Sequence, residues 1–472
     1  MTTAAVSSSR KLSKKEIISY GLPRFGSAIM FLTVVIYLPK FYTDDLLLNP
    51  GLIGLTFLLA RFWDAVTDPA MGYISDRTRS RWGRRRPYFV ISAIPAAIAY
   101  FMLWTPPHGW QGLWLFAYVT AAYVLTYTFW TVFSIPYNSL GAEMTMDYHE
   151  RTVLTGVREL FGVVGTLVAT IAPPVFAARF GKAHGYSYLS IYVGAITALF
   201  IFVAFFNTRE NPENQKKAQI PVKEGLRALA GNRPFRILLV VFVVALMGNT
   251  LVPVLTLYVA DYVVTLPSEQ APLLLSLGGR TIKISDIAPI IILSYLLAAA
   301  LSIIFWTRLS RRIGKKETWS YALVMSSLVF IGSLYYHTGT WLIWIFLAAL
   351  AGFGYGCTFA IAYSMMADVI DMDELETGHR REGAYFGMFF LIEKGAVGLT
   401  AFIGLQALAL SGYVPNVEQP LRVFWTIKAL YSILPAVCFA AGYYLLRRYP
   451  ITQAEHQRIR SQIELKKAAA AT

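Results

Sequence analysis

Long apolar runs alternate with short polar segments along the whole chain. A helix needs about 20 apolar residues to cross a bilayer, and the sequence offers runs of this kind on both sides of a polar connector. The runs cover residues 20–43, 51–75, 87–106, 113–141, 152–178, 186–207, 235–263, 284–308, 318–337, 339–367, 381–410 and 422–447. This pattern predicts an all-α membrane protein with about twelve transmembrane helices.

Composition and charge exclude two other classes of protein. Of the 472 residues, 56% are hydrophobic and 15% are charged, whereas soluble domains carry about 25% charged residues. A soluble enzyme with a single anchor is therefore excluded. The net charge of +15 does not indicate a nucleic-acid partner, because the basic residues lie in short loops between the apolar runs. Lysine and arginine are concentrated in the two termini and in alternate loops, which predicts that both termini are cytoplasmic.

The loops after the second and the eighth apolar runs carry similar charges. The first reads Gly72-x-x-x-Asp76-Arg77 and then Gly83-Arg84-Arg85, and the second reads Arg311-Arg312-Ile-Gly314-Lys315-Lys316. Equivalent loops in the two halves predict two duplicated six-helix bundles. The predicted domains are an N-terminal bundle (1–207), a cytoplasmic connector (208–234) with a short amphipathic helix near Val222–Ala230, a C-terminal bundle (235–450) and a cytoplasmic tail (451–472).

The tail is polar from Thr452 to Lys467 but contains two isolated apolar residues. Ile459 and Ile463 are spaced by one helical turn. Two interpretations fit this pattern: a solvated helical end, or a helix that lies on the membrane face.

The second apolar run contains three charged residues, Arg61, Asp64 and Asp68. The two acids are four residues apart and therefore lie on one face of a helix. A charged group inside a bilayer costs at least about 2.5 kcal/mol, so such groups normally face a polar interior or an ion path. A structural ion pair between Arg61 and Asp64 would account for only one of the two acids inside this apolar run. A cation site would account for both.

Several motifs resemble those of one transporter family. They are Asp64-Ala-Val-Thr-Asp68-Pro-x-x-Gly72, Thr78-Arg-Ser-Arg-Trp-Gly83, Thr131-x-x-x-Ile135-Pro136, Ala367-Asp368-x-x-Asp371, Glu393-Lys394-Gly395 and Gly412-Tyr-Val-Pro-Asn-Val-Glu-Gln419. With them the chain resembles the glycoside-pentoside-hexuronide:cation symporters of the major facilitator superfamily. The resemblance implies the major facilitator fold, symport by alternating access, and a monomeric, multi-pass protein of the inner membrane.

The resemblance also implies a cation site in the N-terminal half. Asp64 and Asp68 match the paired acids that bind the coupling cation, usually sodium and sometimes a proton or lithium. Thr131 and Lys394 match a threonine and a lysine that lie close to that site. Lys394 could supply the positive charge when the cation is absent, or it could form an ordinary salt bridge with Glu393 or with one of the two acids. Sodium is a hard ion that prefers oxygen ligands, so two carboxylates and a hydroxyl suit it. No other cofactor is expected.

The predicted substrate is a sugar, and its binding residues come from both halves. They are Arg158, Lys394, Ser134, Asn138, Phe359 and Asn249. Relatives that bind galactosides have acids where this chain has Ala28 and Ser134, whereas Arg158 matches a retained arginine. The loss of acids makes the predicted site positive, which favours an acidic sugar such as a hexuronide.

The resemblance also implies a cytoplasmic gate made of charged residues at the helix ends. Asp76 is the acid that would pair with basic residues when the cytoplasmic side is closed, and the neighbouring Arg77 is also a predicted gate residue. Arg151 would pair with Asp368 or Asp371, which occupy the equivalent position in the other half. Ordinary surface charge is the alternative, since exposed pairs contribute only about 0–1 kcal/mol.

Two other functions fit the same fold. A sodium-coupled lysolipid symporter would share the paired acids, and the missing sugar-binding acids favour it. A membrane sensor that no longer transports is the second alternative, because a fold does not fix a function. An enzyme is not expected, since the sequence shows no His/Cys metal motif and no nucleophile–base spacing.

Overall fold

The computed structural model of the protein describes residues 11–145, 147–210, 231–264, 273–277, 280–283, 288–378 and 381–471. The long helices of the first half are α1 (Lys14–Lys40, continued by a π-helical turn at Phe41–Asp45), α2 (Pro50–Arg77), α3 (Pro87–Trp104), α4 (Gly112–Met144), α5 (Tyr148–Phe180) and α6 (Lys182–Asn207). Those of the second half are α7 (Arg233–Tyr262), α8 (Ala288–Ile313), α9 (Lys315–Gly332), α10 (Trp341–Thr377), α11 (Glu382–Leu410) and α12 (Leu421–Leu446). A tail helix, α13 (Gln453–Ala471), follows them, and two short antiparallel strands, β1 (Leu273–Leu277) and β2 (Arg280–Lys283), lie between α7 and α8.

The predicted all-α membrane fold is confirmed. Each predicted apolar run falls on one long helix, and 11 of the described helices are long and apolar enough to cross a membrane. Helix α2 is not among the 11, because Arg61, Asp64 and Asp68 interrupt its apolar sequence. Helix α10 continues past its predicted end at residue 367 to Thr377.

The chain divides into two compact units. Unit one consists of Met1–Ala218 and Leu273–Ile284, and unit two consists of Gln219–Pro272 and Ser285–Thr472. The amphipathic helix predicted near Val222–Ala230 lies outside the described residues.

Local sequence signals set several helix ends. Ser13 caps α1 through a capping box with Glu16, and Asn49 caps α2 in front of Pro50. Such side chains accept hydrogen bonds from backbone N–H groups that have no partner inside the helix. Helix α10 ends at Gly378, whose φ of 74° is readily adopted by glycine.

In unit one, α1 packs against α5 and α6, and α2 packs against α4. Tyr20 of α1 and Tyr137 of α4 form the centre of one core cluster, with stacked rings 4.6 Å apart. Each tyrosine hydroxyl donates to the main-chain carbonyl of the other residue, at 3.3 and 2.6 Å. The pair therefore buries two large rings and also satisfies their polar atoms, as a membrane interior requires.

In unit two, α10 packs against α8 and α9, and α7 packs against α12. The α8–α10 contact depends on small residues, because a Cβ atom at Gly352 would lie 2.0 Å from the carbonyl oxygen of Tyr295. A Cβ atom at Gly356 would lie 2.3 Å from the carbonyl oxygen of Ala299. Small residues commonly allow this close approach of membrane helices.

The tail helix packs on unit two, which neither interpretation of its sequence anticipated. Ile459 and Ile463 are buried, and the Lys466 ammonium donates to the carbonyl oxygen of Leu375 at 2.8 Å. The apolar residues of the tail are thus covered by the protein itself, so α13 is more than a solvated helical end.

Replacing Gly352 by alanine is expected to destabilise unit two, because the added methyl group has no room beside the Tyr295 carbonyl. Overpacking of this kind costs about 1–3 kcal/mol. The purified protein in detergent should therefore unfold at a lower temperature, as followed by tryptophan fluorescence. Gly387→Ala is the matched control, since a Cβ atom there meets nothing within 4 Å. Equal unfolding temperatures for the two variants would contradict the close α8–α10 contact.

Candidate functional site

Two charged residues of α2, Arg61 and Asp64, form a buried ion pair. The Arg61 Nη1 atom lies 2.8 Å from Asp64 Oδ2, and only 1% of the Asp64 side chain is exposed. The Arg61 guanidinium also lies 4.3 Å from the centre of the Tyr127 ring on α4. The structural ion pair considered from the sequence is therefore present, and an aromatic face from α4 helps to hold the arginine.

The second acid of α2 has a different partner. The Thr131 hydroxyl of α4 donates to Asp68 Oδ1 at 2.9 Å. Thr131 is buried, whereas Asp68 is partly exposed. The structure thus brings together the predicted cation residues Asp68 and Thr131, with Asp64 one helical turn away on the same face of α2.

Two further side-chain hydrogen bonds hold α2 against α4. Thr56 and Thr120 share a hydrogen bond of 2.8 Å, and the Trp63 indole N–H donates to the Thr128 hydroxyl at 2.7 Å. These contacts lie along the same α2–α4 interface as the hydrogen bond between Thr131 and Asp68. Carboxylate and hydroxyl oxygens are suitable ligands for sodium, and Asp68 can alternatively take up a proton.

A small cavity adjoins this group. It has a volume of about 30 Å³ and is lined by α1 and α4 residues, namely Ser27, Met30, Phe31, Val34, Thr126, Tyr127 and Trp130. Tyr127 lines the cavity and also contacts Arg61. The cavity has room for a water molecule.

Two of the predicted substrate residues meet in unit one. The Arg158 guanidinium donates to Asn138 Oδ1 at 3.0 Å. It also forms a 2.6 Å ion pair with Glu159, whose carboxylate lies 3.4 Å from Arg24. Sequence reasoning missed Glu159, although an acid next to Arg158 inside an apolar run was a visible signal. Ser134 lies on α4, one turn before Asn138, and is partly buried.

The other predicted substrate residues lie in unit two. Asn249 of α7 is buried, and its Oδ1 atom accepts from the Tyr295 hydroxyl at 3.4 Å. Phe359 of α10 contacts Tyr355, with 4.7 Å between the ring centres. Lys394 lies on α11 and is partly exposed. Phe359 and Asn249 are thus connected through tyrosine rings, while Arg158 and Asn138 belong to the other unit.

The loop between α2 and α3 is held by carboxylates. Arg85 forms ion pairs with Asp76 at 3.0 Å and with Glu143 at 2.7 Å, and Arg84 also pairs with Glu143. Asp76 therefore pairs with Arg85, while the Arg77 guanidinium lies over the Tyr73 ring, 3.8 Å from its centre. Sequence reasoning missed Glu143.

A second carboxylate, that of Glu210, accepts hydrogen bonds from three backbone N–H groups at the start of α3. The donors are Arg84, Arg85 and Arg86, at 2.8, 2.7 and 3.0 Å. Gly83 has a φ of 104°, and a Cβ atom there would lie 2.6 Å from Glu210. Glycine is thus needed at position 83 both for its conformation and for space.

The predicted gate acids of unit two are paired within that unit. Asp368 lies 2.6 Å from the Lys315 ammonium, and the His456 ring of α13 lies 3.1 Å from Asp371 and 3.4 Å from Asp368. In unit one, Arg151 donates to the carbonyl oxygen of Thr145 at 3.3 Å. A gate between Arg151 and these acids stays a prediction.

Long apolar helices that enclose an ionisable side chain, here Asp68 with its hydrogen bond from Thr131, are typical of a multi-pass membrane transporter. The fold resembles a crystal structure of a variant of the nucleoside transporter NupG, with a TM-score of 0.65 and 15% sequence identity. The match covers 90% of this chain and 99% of that chain. This likeness concerns the fold alone.

The sequence profile of the family described as MFS/sugar transport protein matches residues 19–453. The chain belongs to this family, the glycoside-pentoside-hexuronide:cation symporters of the major facilitator superfamily.

It is 28% identical to the isoprimeverose transporter of Lactiplantibacillus pentosus, over 93% of this chain and 89% of that one. It is 29% identical to the putative glycoside/cation symporter YagG of Escherichia coli, over 97% and 96%. It is also 26% identical to the sodium-dependent lysophosphatidylcholine symporter 1-A of Danio rerio, over 93% and 85%. Family members are membrane transporters and not enzymes.

Replacing Arg61 by methionine is expected to destabilise unit one, because it removes the guanidinium that the buried Asp64 carboxylate contacts. Breaking a buried ion pair from one side costs about 3–5 kcal/mol. The double variant Arg61→Met with Asp64→Leu should recover much of this loss, since it removes both charges. The measurement is the unfolding temperature in detergent, together with the yield of monodisperse protein. A single variant as stable as the wild type would show that the pair contributes nothing to folding.

Proposed function

We propose that the protein is a symporter that couples uptake of a sugar or glycoside to the inward movement of a monovalent cation, sodium or a proton. Transport would proceed by alternating access in the inner membrane, with a monomeric protein and both termini in the cytoplasm. Asp64, Asp68 and Thr131 form the proposed cation site. The observation that carries this proposal is the 2.9 Å hydrogen bond from Thr131 to Asp68 inside the membrane-spanning part of unit one.

The groups around this site suit reversible cation binding. The Thr131 hydroxyl donates a hydrogen bond to Asp68, and Arg61 pairs with Asp64. A sodium ion would bind to the Asp68 carboxylate and to the Thr131 hydroxyl oxygen, and the hydroxyl would keep its hydrogen but turn it away from the ion. A proton would bind to Asp68, whose carboxyl O–H would then donate to Thr131. Cation and sugar would each raise the affinity for the other, since such coupling is reciprocal.

Relatives support the substrate class. The isoprimeverose transporter and the glycoside/cation symporter are named for carbohydrate substrates. We further propose that Arg158 and Asn138 bind the sugar, because both have polar atoms that are at least partly exposed. An acidic sugar such as a hexuronide would compete with Glu159 for the Arg158 guanidinium, which lies 2.6 Å from that carboxylate. Arg24, Arg158 and Glu159 together carry one positive charge, which favours an anionic substrate.

A lysolipid is the second candidate substrate. The lysophosphatidylcholine symporter among the relatives supports it, because its match covers 93% of this chain, the same share as the match of the isoprimeverose transporter. A lysolipid would need a long apolar surface for its acyl chain in addition to polar groups for its head. Direct competition between a sugar and a lysolipid separates the two candidates.

Asp64→Asn and Asp68→Asn are each expected to abolish cation-driven sugar uptake in proteoliposomes, because an amide cannot carry the charge that binds the cation. Thr131→Val should raise the cation concentration for half-maximal uptake about tenfold, since one ligand is lost. Uptake of a labelled sugar is measured under imposed gradients of sodium, lithium or protons.

Thr120→Val is the matched control for this series. Its hydroxyl also joins α4 to α2, through a 2.8 Å hydrogen bond, but its partner is the Thr56 hydroxyl and not a carboxylate. The control should keep the cation dependence of the wild type. Normal gradient-driven uptake by both asparagine variants would show that the coupling ion binds elsewhere.

Arg158→Gln is expected to weaken transport of methyl glucuronide more than transport of isoprimeverose, because only the first has a carboxylate to pair with the guanidinium. Competition uptake gives the two KM values, and Arg179→Gln is the control because this arginine lies exposed near the end of the same helix. Equal effects on the two sugars would contradict an acidic substrate. Inhibition by lysophosphatidylcholine, with no uptake of either sugar, would favour the second candidate.

A further inference from the structure

Unit two contains a row of aromatic rings that crosses from α8 to α10. The row, called here the aromatic ladder, consists of Tyr295, Tyr355, Phe359 and Tyr363. Successive ring centres are 5.4, 4.7 and 6.0 Å apart. The three rings of α10 are four residues apart and therefore lie on one face of the helix.

Each end of the aromatic ladder has a hydrogen-bonding side chain from another helix. At one end the Tyr363 hydroxyl donates to Glu393 Oε2 of α11 at 2.8 Å. At the other end the Tyr295 hydroxyl donates to Asn249 Oδ1 of α7 at 3.4 Å. Four helices of unit two thus supply one continuous row of rings and polar groups.

The central part of this row is accessible. Tyr355, Phe359, Tyr363 and Glu393 are all partly exposed. These residues lie inside segments that are long and apolar enough to span a membrane. An ionised carboxylate in contact with lipid is costly, so we expect the exposed part of the Glu393 side chain to face water or a polar ligand.

The chemistry of the row matches that of a sugar ring. A pyranose has apolar C–H faces, which pack on aromatic rings, and hydroxyl groups at its edge, which donate to a carboxylate. Hydrogen bonds to an ionised acceptor are about twice as strong as neutral ones. A tyrosine at the carboxylate adds a second polar group and fixes the orientation of the acid.

We propose that Glu393 is a sugar-binding residue, which accepts hydrogen bonds from ring hydroxyl groups of the substrate while the aromatic ladder packs against its C–H face. Tyr363 is a positioning residue that orients the carboxylate. This inference rests on the proposed function, because it names a binding subsite for the carbohydrate. Glu393 is an acid that the sequence analysis did not count among the substrate residues.

Glu393→Gln is expected to raise KM about 10- to 100-fold, the effect of losing a hydrogen bond to a charged group. The probes are isoprimeverose and methyl glucuronide, with the full-length protein in proteoliposomes. Both sugars carry ring hydroxyl groups, so both KM values should rise by similar factors. At a saturating sugar concentration, the sodium or proton concentration for half-maximal uptake should not change. Tyr363→Phe should raise KM less than Glu393→Gln does, because the carboxylate remains.

Glu382→Gln is the matched control, since this exposed acid lies at the start of the same helix. It should leave both KM values unchanged.

If the Glu393→Gln variant takes up both sugars with the KM values of the wild type, the sugar subsite alone is overturned. A changed dependence on the cation with normal KM would also overturn it, because Glu393 would then serve coupling. Improved transport of methyl glucuronide by Glu393→Gln, with no effect on isoprimeverose, would show that Glu393 only repels the carboxylate of the glucuronide. That result would overturn the sugar subsite as well. Absence of uptake of both sugars by the wild type would overturn the proposed function and this subsite together.

Discussion

The structure of unit one depends on how α2 satisfies three charged side chains inside a membrane-spanning bundle. A charge in this environment must be paired or hydrogen-bonded by the protein, because the lipid offers no partner. Arg61 pairs with Asp64 on the same helix, and α4 supplies the Tyr127 ring and the Thr131 hydroxyl. The requirement to satisfy these charges therefore also sets the register between α2 and α4. The residues that carry the proposed cation chemistry are the same ones that hold the two helices together.

The two units repeat one arrangement of charges at their loop ends. In unit one, Arg85 of the loop after α2 pairs with Glu143 near the end of α4. In unit two, Lys315 at the start of α9 pairs with Asp368 near the end of α10. The α2–α3 and α8–α9 loops are equivalent in a duplicated chain, and so are α4 and α10. The two basic loops thus resemble each other in their sequences and also in the position of the acid that each one contacts.

The sequence predicts the helices well because each span depends on local apolar length. It also identifies Asp68 and Thr131 through the family motifs, although 63 positions separate them along the chain. The acids that neutralise basic residues were harder to find. Glu143 and Glu210 are far in sequence from Arg85, so only the packed structure shows which acid meets which base.

The burial of the tail residue Ile459 was missed for the same reason. The periodicity of the tail predicts that one face of the helix is covered, but it does not say by what. Glu393 is a related case, since its contact with Tyr363 depends on the packing of α10 against α11. In general, a pattern within one helix can be recognised in the sequence, whereas a contact between two helices can be identified only in the folded structure.

Charge balance explains why an arginine belongs beside the proposed cation site. Arg61, Asp64 and Asp68 carry +1, −1 and −1, which leaves one negative charge on this group when no cation is bound. Two acids without the arginine would carry two negative charges, and one sodium ion or proton would leave the group still charged. With Arg61 present, a single monovalent cation makes the group neutral. A neutral group is easier to enclose in a medium of low dielectric constant than a charged one. Under the proposed function, the Arg61–Asp64 pair therefore sets the charge of the site so that one cation is enough to permit the conformational change.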